Sequence, residues 1–284
     1  MAQVKEKTSY FRMDWHELRE FLRSAIKGET PGVKNSTHRT RILGWLDGSS
    51  WQGYTRNQIL EWLDKGFKTN VFSGLEDLVP PIRDKRKLIF SEEGDEYHHD
   101  MMLSGDDNYM SSWTHRDSIP GVSLNAGIMF SSAVDAKVIN PYISWICRMA
   151  YSLEMAGIDT EITLDFPSFD MDDKKPGVTC HNLIRVKSEN ELTDYHDWSP
   201  MLSPAAFRCF GFIMGALHCE RDNGKLDYGW GRGMPNRREW KVSYDPDRRT
   251  IEIVNPYSTS KFDEESMTRQ FRAALEEMQG KHLK

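Results

Sequence analysis

The chain has 284 residues, of which 38% are hydrophobic and 28% are charged, and its formal net charge is −6. A chain of this length can form one large hydrophobic core or two smaller ones. The negative charge argues against a protein that coats duplex DNA, because such binding depends on Lys and Arg replacing counterions. A local basic groove remains compatible with this composition.

The chain begins with MAQVKEKTSYFRMDW, which lacks the apolar core and cleavage site of a signal peptide. No stretch reaches the roughly 18 consecutive apolar residues that a membrane helix needs. We therefore expect a cytoplasmic protein with no membrane partner. The four cysteines form no C-x-x-C pair, and we interpret them as reduced thiols of the core.

Residues 1–79 are predicted to form a helical N-terminal region. Asp14 is placed to cap a helix that runs through Lys27, with Glu17 at the capping-box position and Gly28 as the stop. Residues 80–120 carry separate acidic and basic blocks without a clear period. We expect an irregular charged segment there, with one short strand at 88–90.

Residues 121–284 predict an α/β core. Alternating apolar residues indicate strands at 122–130 and 162–166, and a helix that begins at Asn140 and Pro141 lies between them. Two strands joined in this way should pack parallel, with a right-handed crossover. The later patterns predict a strand at 178–186, a helix from Ser203, a hairpin at 240–255 and a helix at 263–278.

The predicted fold class is α/β, with α+β as the alternative. A mixed sheet surrounds the central strand–helix–strand unit, preceded by the helical region and followed by the C-terminal hairpin and helix. No segment has the composition of a linker, so one compact domain is the simplest interpretation.

Polar residues near the ends of the two central strands suggest a metal site. Ser131 and Ser132 follow the first strand, and Asp165 is expected to lie beyond the second. Hydroxyl and carboxylate oxygens suit a hard cation such as Mg²⁺. The layout resembles the metal site of von Willebrand A domains, although Phe130 stands where that family has an aspartate. A degenerate site at Ser131, Ser132 and Asp165 is therefore an alternative.

Motifs of nucleophilic catalysis and of nucleotide binding are absent from the sequence. There is no G-x-S-x-G elbow, no Walker A loop and no G-x-G-x-x-G after a strand. At this level an enzyme is the third interpretation, and no cofactor is expected.

A basic and aromatic loop at 224–241 is the favoured binding site. Cations track the backbone of single-stranded nucleic acids, while aromatic rings stack on bases for about 1–3 kcal/mol each. The candidate residues in the loop are Tyr228, Trp230, Arg232, Arg237, Arg238, Trp240 and Lys241. A second basic run consists of Arg83, Lys85, Arg86 and Lys87. In the alternative interpretation the tryptophans only anchor the loop to the core.

Three segments carry a resemblance to a known family. The sequences WQGYT at 51–55, LEMAGIDTEI at 153–162 and SPAAFR at 203–208 resemble parts of an uncharacterised family encoded by tailed phages. The resemblance covers about 51–217. It implies a phage origin and a shared fold, and it supplies no catalytic residues.

These observations predict a phage accessory protein of the host cytoplasm. It would bind single-stranded nucleic acid, with single-stranded DNA favoured over RNA, in support of phage transcription or replication. A phage polymerase or another phage protein is an expected partner, and an oligomer is compatible with the sequence. The alternative is a protein-interaction or assembly factor with the degenerate metal site.

Overall fold

The fold is that of a computed structural model, which describes residues 7–47, 55–65, 86–91, 96–97, 99–104, 110–115, 121–131, 134–155, 158–170, 178–189, 204–222, 239–256 and 258–282. The helices in these ranges are α1 (Trp15–Ile26), α2 (Ser36–Leu46), α3 (Arg56–Lys65), α4 (His99–Leu103), α5 (Ala136–Met155), α6 (Pro204–Arg221) and α7 (Glu264–His282). The strands are β1 (Lys7–Asp14), β2 (Arg86–Ser91), β3 (Glu96–Tyr97), β4 (Met110–His115), β5 (Val122–Gly127), β6 (Thr160–Asp170), β7 (Val178–Lys187), β8 (Lys241–Asp245) and β9 (Thr250–Val254).

The main sheet has six strands in the order β1-β7-β6-β5-β9-β8. Strand β5 lies parallel to β6 and to β9, and β1 lies parallel to β7. The pairs β6–β7 and β8–β9 are antiparallel. The predicted α/β class and mixed sheet are confirmed, as are the parallel pair β5–β6 joined by α5 and the C-terminal hairpin.

The N-terminal region contributes a strand as well as helices. Strand β1 pairs with β7 along its whole length and forms one edge of the main sheet. The predicted helix that follows is confirmed as α1, with the Asp14–Glu17 capping box and Gly28 at a φ of 90°. The strand escaped prediction because it is held by residues more than 160 positions away, beyond the reach of local patterning.

The start of α5 corrects the sequence interpretation. The helix begins at Ala136, so Pro141 lies inside it and does not open it. The carboxylate of Asp135 accepts a hydrogen bond of 2.8 Å from the backbone N–H of Lys137 and so caps the first turn. This earlier cap prevails although Pro141 removes one helical donor.

Residues 86–115 also differ from prediction, because their described parts form regular structure. Strands β2, β4 and β3 make a three-stranded antiparallel sheet, and α4 lies between β3 and β4 in the chain. The predicted short strand at 88–90 falls inside β2. The cross-strand pairing supplies order that the charged sequence did not suggest.

One face of the main sheet is covered by helices. Helix α5 contacts α6 and α7, while α6 also packs on β1 and β7. The closest approach is at Gly211 of α6, where an added Cβ would lie 2.5 Å from Cδ1 of Phe166 in β6. On the same side, the indole Nε1 of Trp145 donates to Thr268 Oγ1 at 3.0 Å and joins α5 to α7. We call this the helix-covered face.

All four cysteines are free and buried, as the sequence predicted. Burial raises the pKa of the Cys147 thiol, so that side chain packs as an apolar group. None of the described helices is both long and apolar enough to cross a membrane.

Candidate functional site

The opposite face of the main sheet carries polar side chains. Asn125 is in register with Thr163 on one side and with Glu252 on the other, and Gly127 is in register with Asp165. Hydrogen bonds and ion pairs cross the strands on this side. We call it the polar face, defined by Tyr10, Arg12, Asp14, Asn125, Glu161, Thr163, Asp165, His181, Arg185 and Glu252.

A carboxylate–imidazole pair lies at the centre of the polar face. Nδ1 of His181 in β7 is 2.8 Å from Oδ2 of Asp165 in the neighbouring strand β6. The Asp165 side chain is 4% exposed and that of His181 is 18% exposed. Because an ionised carboxylate only accepts, it holds the proton of a neutral His181 on Nδ1 and leaves Nε2 as an acceptor. No described residue hydrogen-bonds Nε2.

The imidazole plane is fixed by stacking as well as by hydrogen bonding. The ring of Tyr10 lies parallel to that of His181, with centroids 5.1 Å apart and an interplanar angle of 16°. Tyr10 itself is 51% exposed. A half-exposed phenol ring therefore covers one face of the imidazole.

Glu252 of β9 adds a second carboxyl to this cluster. Burial raises its pKa, and the charge of Asp165 raises it further, against the opposing effects of Asn125, Arg248 and His181. The amide of Asn125 donates to Oε2 of Glu252 at 2.8 Å. Glu252 thus holds its proton to a higher pH than an ordinary glutamate does, while the neighbouring carboxylate is bonded to an imidazole.

The arginines of the polar face are already paired. Arg12 bonds Glu161 at 2.7 Å, and Arg185 bonds both carboxylate oxygens of Asp14 at 2.5 and 2.9 Å. Arg185 also lies 3.6 Å from Glu161. This network balances its own charges, so the chemically distinctive group is the cluster of Asp165, His181, Asn125 and Glu252.

The structure corrects the position of Asp165 in the predicted metal site. Strand β6 extends to Asp170, so Asp165 lies within the strand, and its carboxylate meets His181. Ser131 follows β5 in irregular backbone, and Ser132 lies outside the described residues. Within the described ranges, no group of three or more His, Cys, Asp or Glu side chains is placed to hold a metal.

Only the end of the predicted nucleic-acid-binding loop is described. Trp240 is half-buried, its indole N–H donates to the carbonyl of Lys261 at 3.1 Å, and its ring centroid lies 4.8 Å from that of Tyr142 and 5.0 Å from that of Phe262. Its ring therefore packs against the aromatic side chains of Tyr142 and Phe262. Lys241 is exposed at the start of β8.

The other candidates for nucleic-acid binding are distributed as follows. Arg86 and Lys87 begin β2, in register with His115 and Thr114 of β4. The remaining ones lie outside the described residues, namely Arg83, Lys85, Tyr228, Trp230, Arg232, Arg237 and Arg238. Their proposed role stays a prediction.

Sequence reasoning missed His181 and Glu252. The available signal was the phase of the strands, since apolar residues at 162, 164 and 166 imply that Asp165 points to the other face. The pairing of β6 with β7 and of β5 with β9 is what brings the polar positions together, and no local pattern gives that register.

The fold and the site define an α/β protein with a mixed six-stranded sheet and a hydrogen-bonded carboxylate–imidazole pair on its polar face. The chain belongs to the family described as a domain of unknown function (DUF7192), whose model matches residues 4–278. That match extends well beyond the 51–217 of the phage resemblance, whose implied phage origin stays a prediction. No solved structure matches this chain.

Proposed function

We propose that the polar face is the active site of an enzyme that works by general acid–base catalysis on a small polar substrate. His181 is the base and Glu252 is the acid. The observation that carries the proposal is the 2.8 Å bond between Asp165 and Nδ1 of His181, which leaves Nε2 to meet the substrate.

The Asp165–His181 pair supports a base for two physical reasons. The carboxylate holds the imidazole in one tautomer and one orientation, so that Nε2 presents its lone pair outward. It also stabilises the imidazolium that forms when Nε2 takes a proton. A base positioned in this way typically contributes about 10²–10⁴-fold to a rate.

Glu252 supports the complementary role of a proton donor. Its raised pKa follows from burial and from the nearby charge of Asp165. A carboxyl that keeps its proton to a higher pH than usual is suited to the role of a general acid. In the proposed reaction Nε2 of His181 removes a proton from the substrate or from a water, and Glu252 returns one to the leaving or enolic oxygen.

The test uses 5-nitrobenzisoxazole, a small carbon acid whose ring opens when a positioned base removes its proton. The protein should accelerate this opening above the buffer rate, and His181→Gln should lower the acceleration by about 10²–10⁴-fold. The matched control is His16→Gln in α1, because His16 is exposed on a different element. No acceleration by the protein, or full activity in His181→Gln, would contradict the proposal.

Asp165→Asn separates the pair from the imidazole alone. An asparagine keeps the size of the side chain but removes the charge that stabilises the imidazolium. We expect this variant to lose part of the activity that His181→Gln loses, with unchanged unfolding as the check that the fold is intact.

Binding of single-stranded nucleic acid by the loop at 224–241 is a second candidate function, in a phage accessory protein. The observation in its favour is that Trp240 ties the end of the loop to the aromatic core while the adjacent Lys241 is exposed. Lys241 would then offer a cation beside the anchored end of the loop.

A labelled single-stranded oligonucleotide tests that candidate by fluorescence anisotropy at two salt concentrations. Binding should weaken as salt rises, because cations on the protein replace counterions. The double variant Trp230→Ala/Arg232→Ala should weaken it further. Absent binding at low salt, or binding that ignores both substitutions, excludes the loop as the site.

A further inference from the structure

A second group of side chains lies between the helix-covered face of the sheet and α6, away from the polar face. It joins Ser9 of β1, Asn182 of β7, and His218 and Asp222 at the end of α6. Oγ of Ser9 lies 2.8 Å from Nε2 of His218, and Nδ1 of His218 lies 3.0 Å from Oδ1 of Asn182. Consecutive short contacts therefore link a hydroxyl, an imidazole and an amide oxygen.

The direction of these hydrogen bonds follows from Asn182. Its Nδ2 donates to the backbone carbonyl of Phe166 at 2.9 Å, so its Oδ1 is the atom that faces the imidazole. Oδ1 accepts, and Nδ1 of His218 must then carry the proton. Nε2 of a neutral His218 consequently directs its lone pair at the hydroxyl of Ser9.

Burial distinguishes the four residues. His218 is 1% exposed and Asn182 is 0% exposed, so the imidazole is held rigidly and away from solvent. The ring of Phe11 stacks on that of His218 at 5.6 Å between centroids. Ser9 is only half-buried, because it lies on the edge strand of the sheet. Ser9 is thus more exposed than the imidazole and the amide that it adjoins.

Asp222 completes the surroundings of the hydroxyl. Its Oδ2 lies 2.9 Å from Ser9 Oγ and 3.2 Å from Nε2 of His218, and its side chain is 42% exposed. The hydrogen bond from Arg221 and that from Ser9 lower the pKa of Asp222, so the carboxylate is ionised. It competes for the hydroxyl proton at rest, and it stabilises the imidazolium once Nε2 has taken that proton.

The protonation state of His218 agrees with this arrangement. Burial, with a smaller effect of Arg221, lowers the pKa of His218 from 6.5 to about 4, against the opposing effect of Asp222. The imidazole is therefore neutral near pH 7 and able to accept a proton.

We propose that Ser9 is a nucleophile activated by His218, with Asn182 orienting the imidazole, and that it reacts with esters and related activated acyl or phosphonyl groups. Distance supports this assignment, because an activated nucleophile and its base lie within about 2.6–3.2 Å, with the base oriented by a third group. The inference is independent of the acid–base site, since Asn182 and His181 project to opposite faces of β7.

The chemical step balances as follows. Oγ of Ser9 forms a bond to the carbonyl carbon of the ester while its proton passes to Nε2 of His218. The bond between that carbon and the leaving oxygen breaks, and the alcohol departs with the proton from Nε2. Water then attacks the acyl-serine, releases the carboxylic acid and restores the hydroxyl of Ser9. With a fluorophosphonate the Ser9 Oγ–phosphorus bond forms, fluoride leaves, and the adduct remains.

The test is labelling of the full-length protein with a fluorophosphonate, followed by peptide mass spectrometry. The proposal predicts an adduct on Ser9 that is absent in Ser9→Ala and present in Ser243→Ala. Ser243 is a suitable control because it is a half-buried serine on β8, the opposite edge strand of the same sheet. No adduct in the wild type, or an adduct on other serines only, would overturn the proposal.

Two further variants distinguish activation from simple exposure of Ser9. His218→Gln should slow labelling by about 10²–10⁴-fold, the usual contribution of a general base, while His16→Gln should leave the rate unchanged. Each variant is used only if its circular dichroism and unfolding midpoint show an intact fold. Labelling of Ser9 at the wild-type rate in a folded His218→Gln protein would overturn the activation by His218.

Discussion

The two faces of the main sheet show how consecutive residues of one strand take opposite roles. In β6, Phe166 is fully buried under α6, where it meets Gly211, while the preceding Asp165 points to the polar face and bonds His181. Both side chains are buried, yet Phe166 is held by packing and Asp165 by a hydrogen bond to His181. Burial alone therefore does not distinguish a core residue from a site residue on this sheet. The chemical nature of the side chain that each residue contacts makes that distinction.

The two histidines of the β1–β7 region repeat this contrast. His181 has the carboxylate of Asp165 on Nδ1, whereas His218 has the neutral amide of Asn182 on Nδ1. Nε2 of His218 lies near both the hydroxyl of Ser9 and, at 3.2 Å, the carboxylate of Asp222. Burial lowers the pKa of His218 in spite of that carboxylate, because removal from water disfavours the charged form of an imidazole. The same residue type is thus prepared for different chemistry on the two sides.

The largest expected effect tests whether the helix-covered face carries the stability. Phe166→Ala should lower the free energy of unfolding by about 3–5 kcal/mol, the usual cost of emptying a buried aromatic site. Arg12→Gln on the polar face should cost under about 1 kcal/mol, because its ion pair with Glu161 is half exposed. Urea denaturation measures both, and similar costs for the two variants would remove the distinction between the faces.

The pH dependence of stability tests the assignment of His218. Its folded pKa of about 4 lies below the ordinary value of 6.5, so between these values the unfolded chain binds the proton more readily. The contribution of His218 to the free energy of unfolding is fully present above pH 6.5. It is lost as the pH drops towards 4, which lowers stability by up to about 3 kcal/mol. Unfolding of wild type and His218→Gln across that range measures the difference.

His218→Gln should show a shallower loss of stability on acidification, and His16→Gln should follow the wild type. If the His218→Gln curve runs parallel to the wild-type curve between pH 6.5 and 4, then burial does not hold His218 neutral. The contrast between the two histidines would then need another cause.

The smallest expected effect concerns the contact between α6 and β6. Gly211→Ala should destabilise the protein by about 1–3 kcal/mol, because the new Cβ would lie 2.5 Å from Phe166 Cδ1. Gly44→Ala in α2 is the matched control, since its Cβ would meet nothing within 4 Å. There alanine should stabilise by up to about 1 kcal/mol through helix propensity. Thermal unfolding distinguishes these opposite signs. Equal shifts in the unfolding midpoint of the two variants would contradict a close approach between Gly211 and Phe166.

Local signals predicted much of the architecture correctly. These signals act over a few residues and can therefore be recognised in the sequence. They are the Asp14–Glu17 capping box, the alternating residues of β5 to β7 and the acidic start of α7. The early start of α5 was missed because Asp135 caps the helix before Asn140 and Pro141 are reached. The regular structure at 86–115 was missed because cross-strand pairing and not composition holds it.

The candidate sites were harder to foresee. Asp165 was noticed as a polar residue near a strand end, but it was assigned to a metal, whereas its partner is His181. Ser9 and His218 are separated by 209 positions, and no motif links them. Sequence reasoning instead favoured the loop at 224–241, where basic and aromatic residues are close together in the chain.

The sequence by itself determined the α/β class, the bounds of α1, the starts of α6 and α7 and the phase of the central strands. Periodicity and capping, which indicated these features, depend on residues within a few positions of each other. Only the tertiary structure decided that β1 joins β7 and that Asp165 meets His181. It also decided that Ser9 meets His218. Those contacts depend on the strand order β1-β7-β6-β5-β9-β8. Because that order arises from the packing of distant segments, the side chains of each face meet only when the sheet assembles.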